Sequence, residues 1–240
     1  MNLLLVELGE LRDGICVVAD RRAAHLREVL GVAVGSTIKM GILGGTIGTA
    51  EVVADAASGI ELRFTSAGDP APQLDVELVL AMPRPKALAR VIEACAAFAI
   101  RRIDLTNAWR VDKSYLRSPK LAPEALAHSA RLGAEQGATT HLPEIHVHER
   151  LMELLDSRFA EPARGRLIAH PGAPPIENVA TDGRKVIAIG PEGGWIEREL
   201  ATFVERGFQP CSLGAPILRV ESAVSAALAQ LMLLDRLAER

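Results

Sequence analysis

The residues best suited by type and spacing to chemistry lie near the C-terminus, in two glycine turns and the segment after them. Gly190-Pro191-Glu192-Gly193-Gly194 places three glycines and a proline within five residues, a run that neither continues a strand nor starts a helix. Glycines let a ligand approach the backbone, and freed N–H groups can donate to it. The turn does not match the G-x-G-x-x-G dinucleotide pattern, and no Gly-Lys-Ser/Thr follows as in a phosphate loop. A second turn, Leu213-Gly214-Ala215-Pro216, leads into Ile217, Leu218, Arg219, Val220, Glu221 and Ser222. Arg219 carries a permanent charge suited to phosphate or a developing oxyanion. Glu221 stands at the positive end of the last helix, where capping and chemistry both suit a carboxylate. His170, with Pro171 and Gly172, occupies a strand end before a Pro/Gly loop, a position open to both a turn role and a ligand role. His141, His146 and His148 lie near Glu144 and Glu149 but match no familiar metal-ligand spacing, so no metal site is expected.

These residues need strands to present them. The apolar run Val186 to Ile189 has the length of a buried strand and ends at the first turn. A helix is expected from Ile196 to Arg206, closed by Gly207, and a second strand from Gln209 to Leu213. Strand ends followed by such loops are where open α/β sheets bind ligands. The last helix, Glu221 to Arg236, is apolar on most sides and must bury more than one face, in the core or against a second copy.

Upstream, strands and helices alternate from Gln73 onward: a strand Val76 to Met82, a helix Lys86 to Phe98, a strand Ile103 to Thr106, a helix Pro123 to Glu135 and a strand Arg166 to Ala169. That order predicts an α/β domain with a largely parallel sheet over 73–240. Residues 1–70 instead show short strand candidates, a hairpin turn at Leu43-Gly44-Gly45-Thr46 and one helix from Ala23 to Leu30, consistent with a small β-barrel. The turn-rich linker Ala67 to Pro72 separates the two.

Composition narrows the class. The 240 residues are 49% hydrophobic and 24% charged, enough for a sizeable core. Cys16, Cys95 and Cys211 are far apart with no C-x-x-C pair, which fits a reducing cytosol. The N-terminus lacks a basic signal-peptide region, and no stretch approaches the ~18 apolar residues of a membrane span, so a cytoplasmic protein is expected. Net charge is only −3, but Pro83 to Lys120 holds nine basic and three acidic residues. Within it Arg84, Lys86, Arg110, Lys113 and Arg117 are the candidate RNA contacts; a merely solvated face is the competing reading.

Two motifs resemble the 16S ribosomal-RNA uridine N3-methyltransferases, the RsmE family of the SPOUT superfamily. One is Ile189-Gly190-Pro191-Glu192-Gly193-Gly194-Trp195; the other is Leu213-Gly214 with Ile217-Leu218-Arg219-Val220-Glu221-Ser222-Ala223. The segment Asn107 to Tyr115, with Glu135-Gln136 and Leu142-Pro143-Glu144, is similar to one branch of that family. The resemblance implies a PUA-like N-terminal barrel, an α/β domain with a C-terminal trefoil knot, and an obligate homodimer acting on small-subunit RNA. It implies S-adenosylmethionine as cofactor, held by His170 to Gly172, Ile189 to Gly194 and Leu213 to Arg219, and no metal. For methylation of uracil N3, a base would remove its proton and an arginine would stabilise charge on the oxygens. Arg219, Glu221 and Glu192 are the matching positions. The chain departs from the commoner pattern at Ala94 to Ile100 and at Glu135 to Thr140, where an arginine is lost, so the reaction class is better supported than the nucleotide. A sister SPOUT enzyme for another RNA nucleotide and a non-catalytic RNA-binding assembly factor are the alternatives.

Overall fold

The computed structural model describes residues 2–70, 72–180 and 183–238. Ala71 of the expected linker and the last two residues of the second expected domain lie outside them.

The N-terminal part holds strands β1 (Leu4–Val6), β2 (Leu11–Arg12) and β3 (Ile15–Val18), helix α1 (Arg21–Glu28), and strands β4 (Thr37–Ile42), β5 (Ile47–Ala56) and β6 (Gly59–Gly68). They form one sheet in the order β1-β4-β5-β6-β3-β2, with β1 parallel to β4 and the other pairs antiparallel. Alternation along β5 sends Gly48, Ala50 and Val52 inward, where Ala50 and Val52 meet Leu26 of α1 in a small core with Val18, Met40, Ile60 and Leu62. Strand β6 runs through Gly68, so Ala67 and Gly68 of the expected linker belong to the sheet.

The second part holds β7 (Leu74–Ala81), α2 (Pro85–Ala97), β8 (Ile100–Thr106), α3 (Pro123–Gly137), β9 (Glu144–His148), α4 (Leu151–Arg158), β10 (Arg166–Ala169), β11 (Lys185–Ile189), α5 (Glu197–Glu205), β12 (Gln209–Cys211) and α6 (Val220–Ala238). All its strand pairs are parallel, in the order β12-β10-β11-β7-β8-β9. The central strands β7 and β11 are nearly all buried, as expected for apolar runs covered on both faces. Each expected strand and helix of this part is present, with ends shifted by a few residues. The strand expected to reach Leu213 stops at Cys211, because Ser212 already folds back: its hydroxyl accepts from the N–H of Gly214 at 3.2 Å.

The two parts are bound together at the end of α3. Backbone N–H groups of Asn2 and Leu3 both donate to the Glu135 carbonyl at 3.0 Å, and Arg21 reaches the buried Glu135 carboxylate with two hydrogen bonds. Leu3 and Leu5 pack on Ala134 beside them.

Candidate functional site

In a parallel sheet every strand ends on the same edge, so strand order decides which loops meet. Here β12, β10 and β11 are consecutive neighbours, followed by β7 and β8. The turns after them therefore line one edge in the order Leu213-Gly214, His170 to Gly172, Gly190 to Gly194, then Arg84 and finally Trp109-Arg110. In open α/β sheets ligands bind outside the carboxyl ends of the strands, which makes this edge the candidate site.

Two of the three glycine turns, those after β10 and β12, are stitched to each other. The N–H of His170 donates to the Cys211 carbonyl at 2.9 Å, that of Ile176 to Ser212 at 3.1 Å, and that of Ser212 to Pro174 at 2.8 Å. Gln230, on α6, donates its side-chain amide to the Leu213 carbonyl at 3.0 Å, tying the last helix to the same loops. The first turn is closed by the Gly194 N–H on the Pro191 carbonyl at 2.8 Å, with Gly194 at φ +73°. Gly172 at φ +78° and Gly214 at φ +133° also hold conformations that L side chains rarely adopt. A Cβ at Gly172 or Gly194 would find no atom within 4 Å, so both turns face open space.

Gly190 has a different role. A Cβ there would lie 3.1 Å from Nε1 of Trp195, so glycine lets the indole lie against the turn. Trp195 is buried between the turn and Phe203, and its Nε1 has no hydrogen-bond partner among the described residues. A buried N–H without a partner is costly, and it marks this turn as a place where an acceptor from a ligand fits.

Charge enters from the neighbouring strands. Arg84, the residue before α2, lies with Nε 3.4 Å from Glu192 Oε1. Arg110 donates to the Gly193 carbonyl, and a Cβ on Gly193 would press on the Arg110 side chain at 3.0 Å. Glu199, on the first turn of α5, accepts from the N–H of Ile196 at 3.1 Å and of Trp109 at 2.7 Å, so one carboxylate caps α5 and pins the loop after β8.

The remaining expected residues are distributed as follows. Ile189 and Pro191 are buried beneath the turn; Glu192 and Gly193 are exposed on it. Ile217, Leu218 and Arg219 are exposed, and the Arg219 guanidinium has no partner among the described residues. Glu221 is half-buried in the first turn of α6, also with an unpartnered carboxylate. Lys86, Lys113 and Arg117 are exposed on the α2 start and the 3-10 turn Lys113–Arg117. Two members of the basic segment do not join them. Arg101 and Arg102 lie near the start of β8, the opposite end of the strand, where Arg101 pairs with Asp75 and Arg102 with Asp104 and Glu144. Asp104 is fully buried and also binds Arg158 and His148, the latter at 2.8 Å. Burial pushes its carboxyl up, but hydrogen bonds from Arg102 and His148 and the charges of Arg158 and Arg102 outweigh that and hold it below the usual range. His148 is thus committed to Asp104, and no group of three or more His, Cys, Asp or Glu that could hold a metal is found among the described residues.

Glu199 and the Arg84–Glu192 pair escaped sequence reasoning, and Trp109 entered it only as part of the segment Asn107 to Tyr115. Glu199 was findable in principle, being three residues beyond the helix start at Ile196. The other contacts depend on strand order.

The chain belongs to the RNA methyltransferase domain family, whose model matches residues 69–232. It is 28% identical to ribosomal RNA small subunit methyltransferase E of Treponema pallidum over 95% of this chain and 90% of that one. It is 27% identical to ribosomal RNA small subunit methyltransferase E 1 of Borreliella burgdorferi over 95% of both. Among solved structures, ribosomal RNA small subunit methyltransferase E of Neisseria gonorrhoeae bound to S-adenosylmethionine superposes with a TM-score of 0.79, at 22% identity over 97% of this chain and 98% of that one. A putative methyltransferase of Legionella pneumophila in complex with the same cofactor gives 0.78, at 20% identity and 97% coverage of both.

Proposed function

We propose that this chain is an S-adenosylmethionine-dependent methyltransferase that modifies N3 of a uridine in 16S ribosomal RNA. The observation that carries the reading is the meeting of three glycine turns on adjacent strand ends, next to an unpartnered arginine and carboxylate in one C-terminal segment. The small-subunit methyltransferases named above align with nearly all of the chain, and the solved relatives hold S-adenosylmethionine, which supports this substrate and cofactor.

The local chemistry fits the cofactor. Gly172 and Gly194 leave room beside the backbone, and the orphaned Nε1 of Trp195 awaits an acceptor. His170 to Gly172, Ile189 to Gly194 and Leu213 to Arg219 would hold it. When bound, S-adenosylmethionine supplies an electrophilic methyl on a positively charged sulfur. The chain's own residues then act on the base. Glu221 takes the N3 proton, Arg219 faces the uracil oxygens as charge spreads onto them, and Glu192, paired with Arg84, is the second candidate for the carboxylate role. Arg84, Lys86, Arg110, Lys113 and Arg117 hold the phosphates.

Three further assignments belong to this reading. Residues 1–70 form a PUA-like domain and 73–240 a SPOUT domain. The first carries six basic and nine acidic residues, so it contributes shape while the second contributes the charge for RNA. The C-terminal segment forms a trefoil knot; in support, β12 lies at the sheet edge while α6 returns across β11 and β7 beside α2. A cytoplasmic homodimer covers Ile217, 88% exposed, and Met232, Leu233 and Leu237, which are apolar and exposed on α6.

Calorimetric titration with S-adenosylmethionine tests the reading. Saturable binding at one site per chain is expected, and absence of binding would favour a non-catalytic RNA-binding protein.

A further inference from the structure

We infer that Trp109 is a positioning residue for the RNA, its indole stacking on a nucleobase of the bound strand; this rests on the function proposed above. Trp109 is 78% exposed, an unusual state for the residue with the largest apolar ring. Its loop is nevertheless held firmly. Ala108 and Val111 on either side are buried, and the Val111 N–H donates to the Ala108 carbonyl at 3.0 Å to close a turn with Trp109 and Arg110 at its tip. Glu199 fixes the Trp109 N–H at 2.7 Å, and Arg110 is anchored on Gly193. An indole is therefore presented from a rigid mount beside the glycine turn of the candidate site.

The surroundings favour a nucleic acid over a protein partner. Arg84, Arg110, Lys113 and Arg117 are all exposed around this edge, and three carboxylates of the same loops are engaged: Glu192 with Arg84, and Glu199 and Asp112 with backbone N–H groups. A π-face among cations matches the alternation of base and phosphate along a single strand, where each stacked base contributes about 1–3 kcal/mol.

The experiment uses the full chain with an unmodified 16S ribosomal RNA transcript. Trp109→Ala should raise KM for the transcript about ten-fold or more, with kcat changed far less and S-adenosylmethionine affinity and oligomeric mass unchanged. Trp109→Phe, which retains a ring, should recover most of the loss. Trp109 and Trp195 are the only two tryptophans, and Trp195 is buried, so transcript binding should quench the intrinsic fluorescence of the native chain far more than that of Trp109→Phe. An unchanged KM in Trp109→Ala overturns the inference, as does a loss accompanied by a fall in oligomeric mass, which would place Trp109 under a second copy. If the native chain binds the transcript but transfers no methyl group, the functional reading fails while quenching still decides the role of Trp109. Absence of RNA binding overturns both.

Discussion

The Arg219 side chain has no hydrogen bond or ion pair to lose among the described residues and sits exposed before α6. Arg219→Ala should therefore keep the circular-dichroism spectrum and melting temperature of the parent, while kcat for methyl transfer falls by about 10²–10³, the range for removing one preorganised donor to a developing oxyanion. Turnover within a few-fold of the parent would remove Arg219 from the mechanism. The cysteines give a second residue-scale expectation. Burial pushes the Cys95 thiol up and the Cys211 thiol up to about 12, and burial likewise raises Cys16. All three are protonated at neutral pH, and a protonated buried thiol is inert. A thiol reagent should label none of them in the folded chain at pH 7.5 and all three after unfolding.

At the scale of elements, α2 and α3 approach backbone to backbone. A Cβ at Gly133 would lie 2.1 Å from the Glu93 carbonyl oxygen, and one at Gly137 would lie 2.5 Å from that of Ala97. The two glycines are four residues apart, so both face α2 on one stripe of α3. Gly133→Ala should destabilise by about 1–3 kcal/mol, as overpacking does, read as a lower urea midpoint with an unchanged slope. Elements themselves were largely legible from local pattern: the apolar run of β11, the early proline of α3 and the glycine turns each carry their own signal. Strand β9 and helix α4 were not. The stretch Glu144–His148 is polar and mostly exposed on an edge strand, and Leu151–Arg158 is only eight residues long, so neither has a strong period. The site was legible as three separate turns. That β12 neighbours β10, and β10 neighbours β11, is a long-range pairing that no local window contains, and it alone brings the turns together. For the same reason Arg101 and Arg102 read as part of a basic face: sequence proximity hides that a strand carries its two ends to opposite edges of the sheet.

The whole molecule depends on ionic joints away from the site. Asp104 has a folded-state pKa below its unfolded value, so its contribution is present above about pH 4, the ordinary carboxylate range, and is lost as pH falls through the lower folded value. Asp104→Asn removes the buried carboxylate that Arg102, Arg158 and His148 share, leaving Arg158 with Glu77 and Arg102 with Glu144, and should cost about 1–3 kcal/mol at pH 7. The gap to the parent should narrow as the parent is acidified below pH 4, measured by urea titration across pH. Arg21 and Glu135 play the corresponding part between the two sheets, fixing the N-terminal unit against the end of α3. That joint holds the N-terminal unit in a set relation to the candidate edge of the second sheet. The account as a whole is tested most directly by mass mapping of 16S ribosomal RNA incubated with the full chain and isotopically labelled S-adenosylmethionine. It predicts one labelled methyl group, on N3 of a single uridine. Label on another atom or nucleotide, or no label with folded protein and bound cofactor, would contradict it.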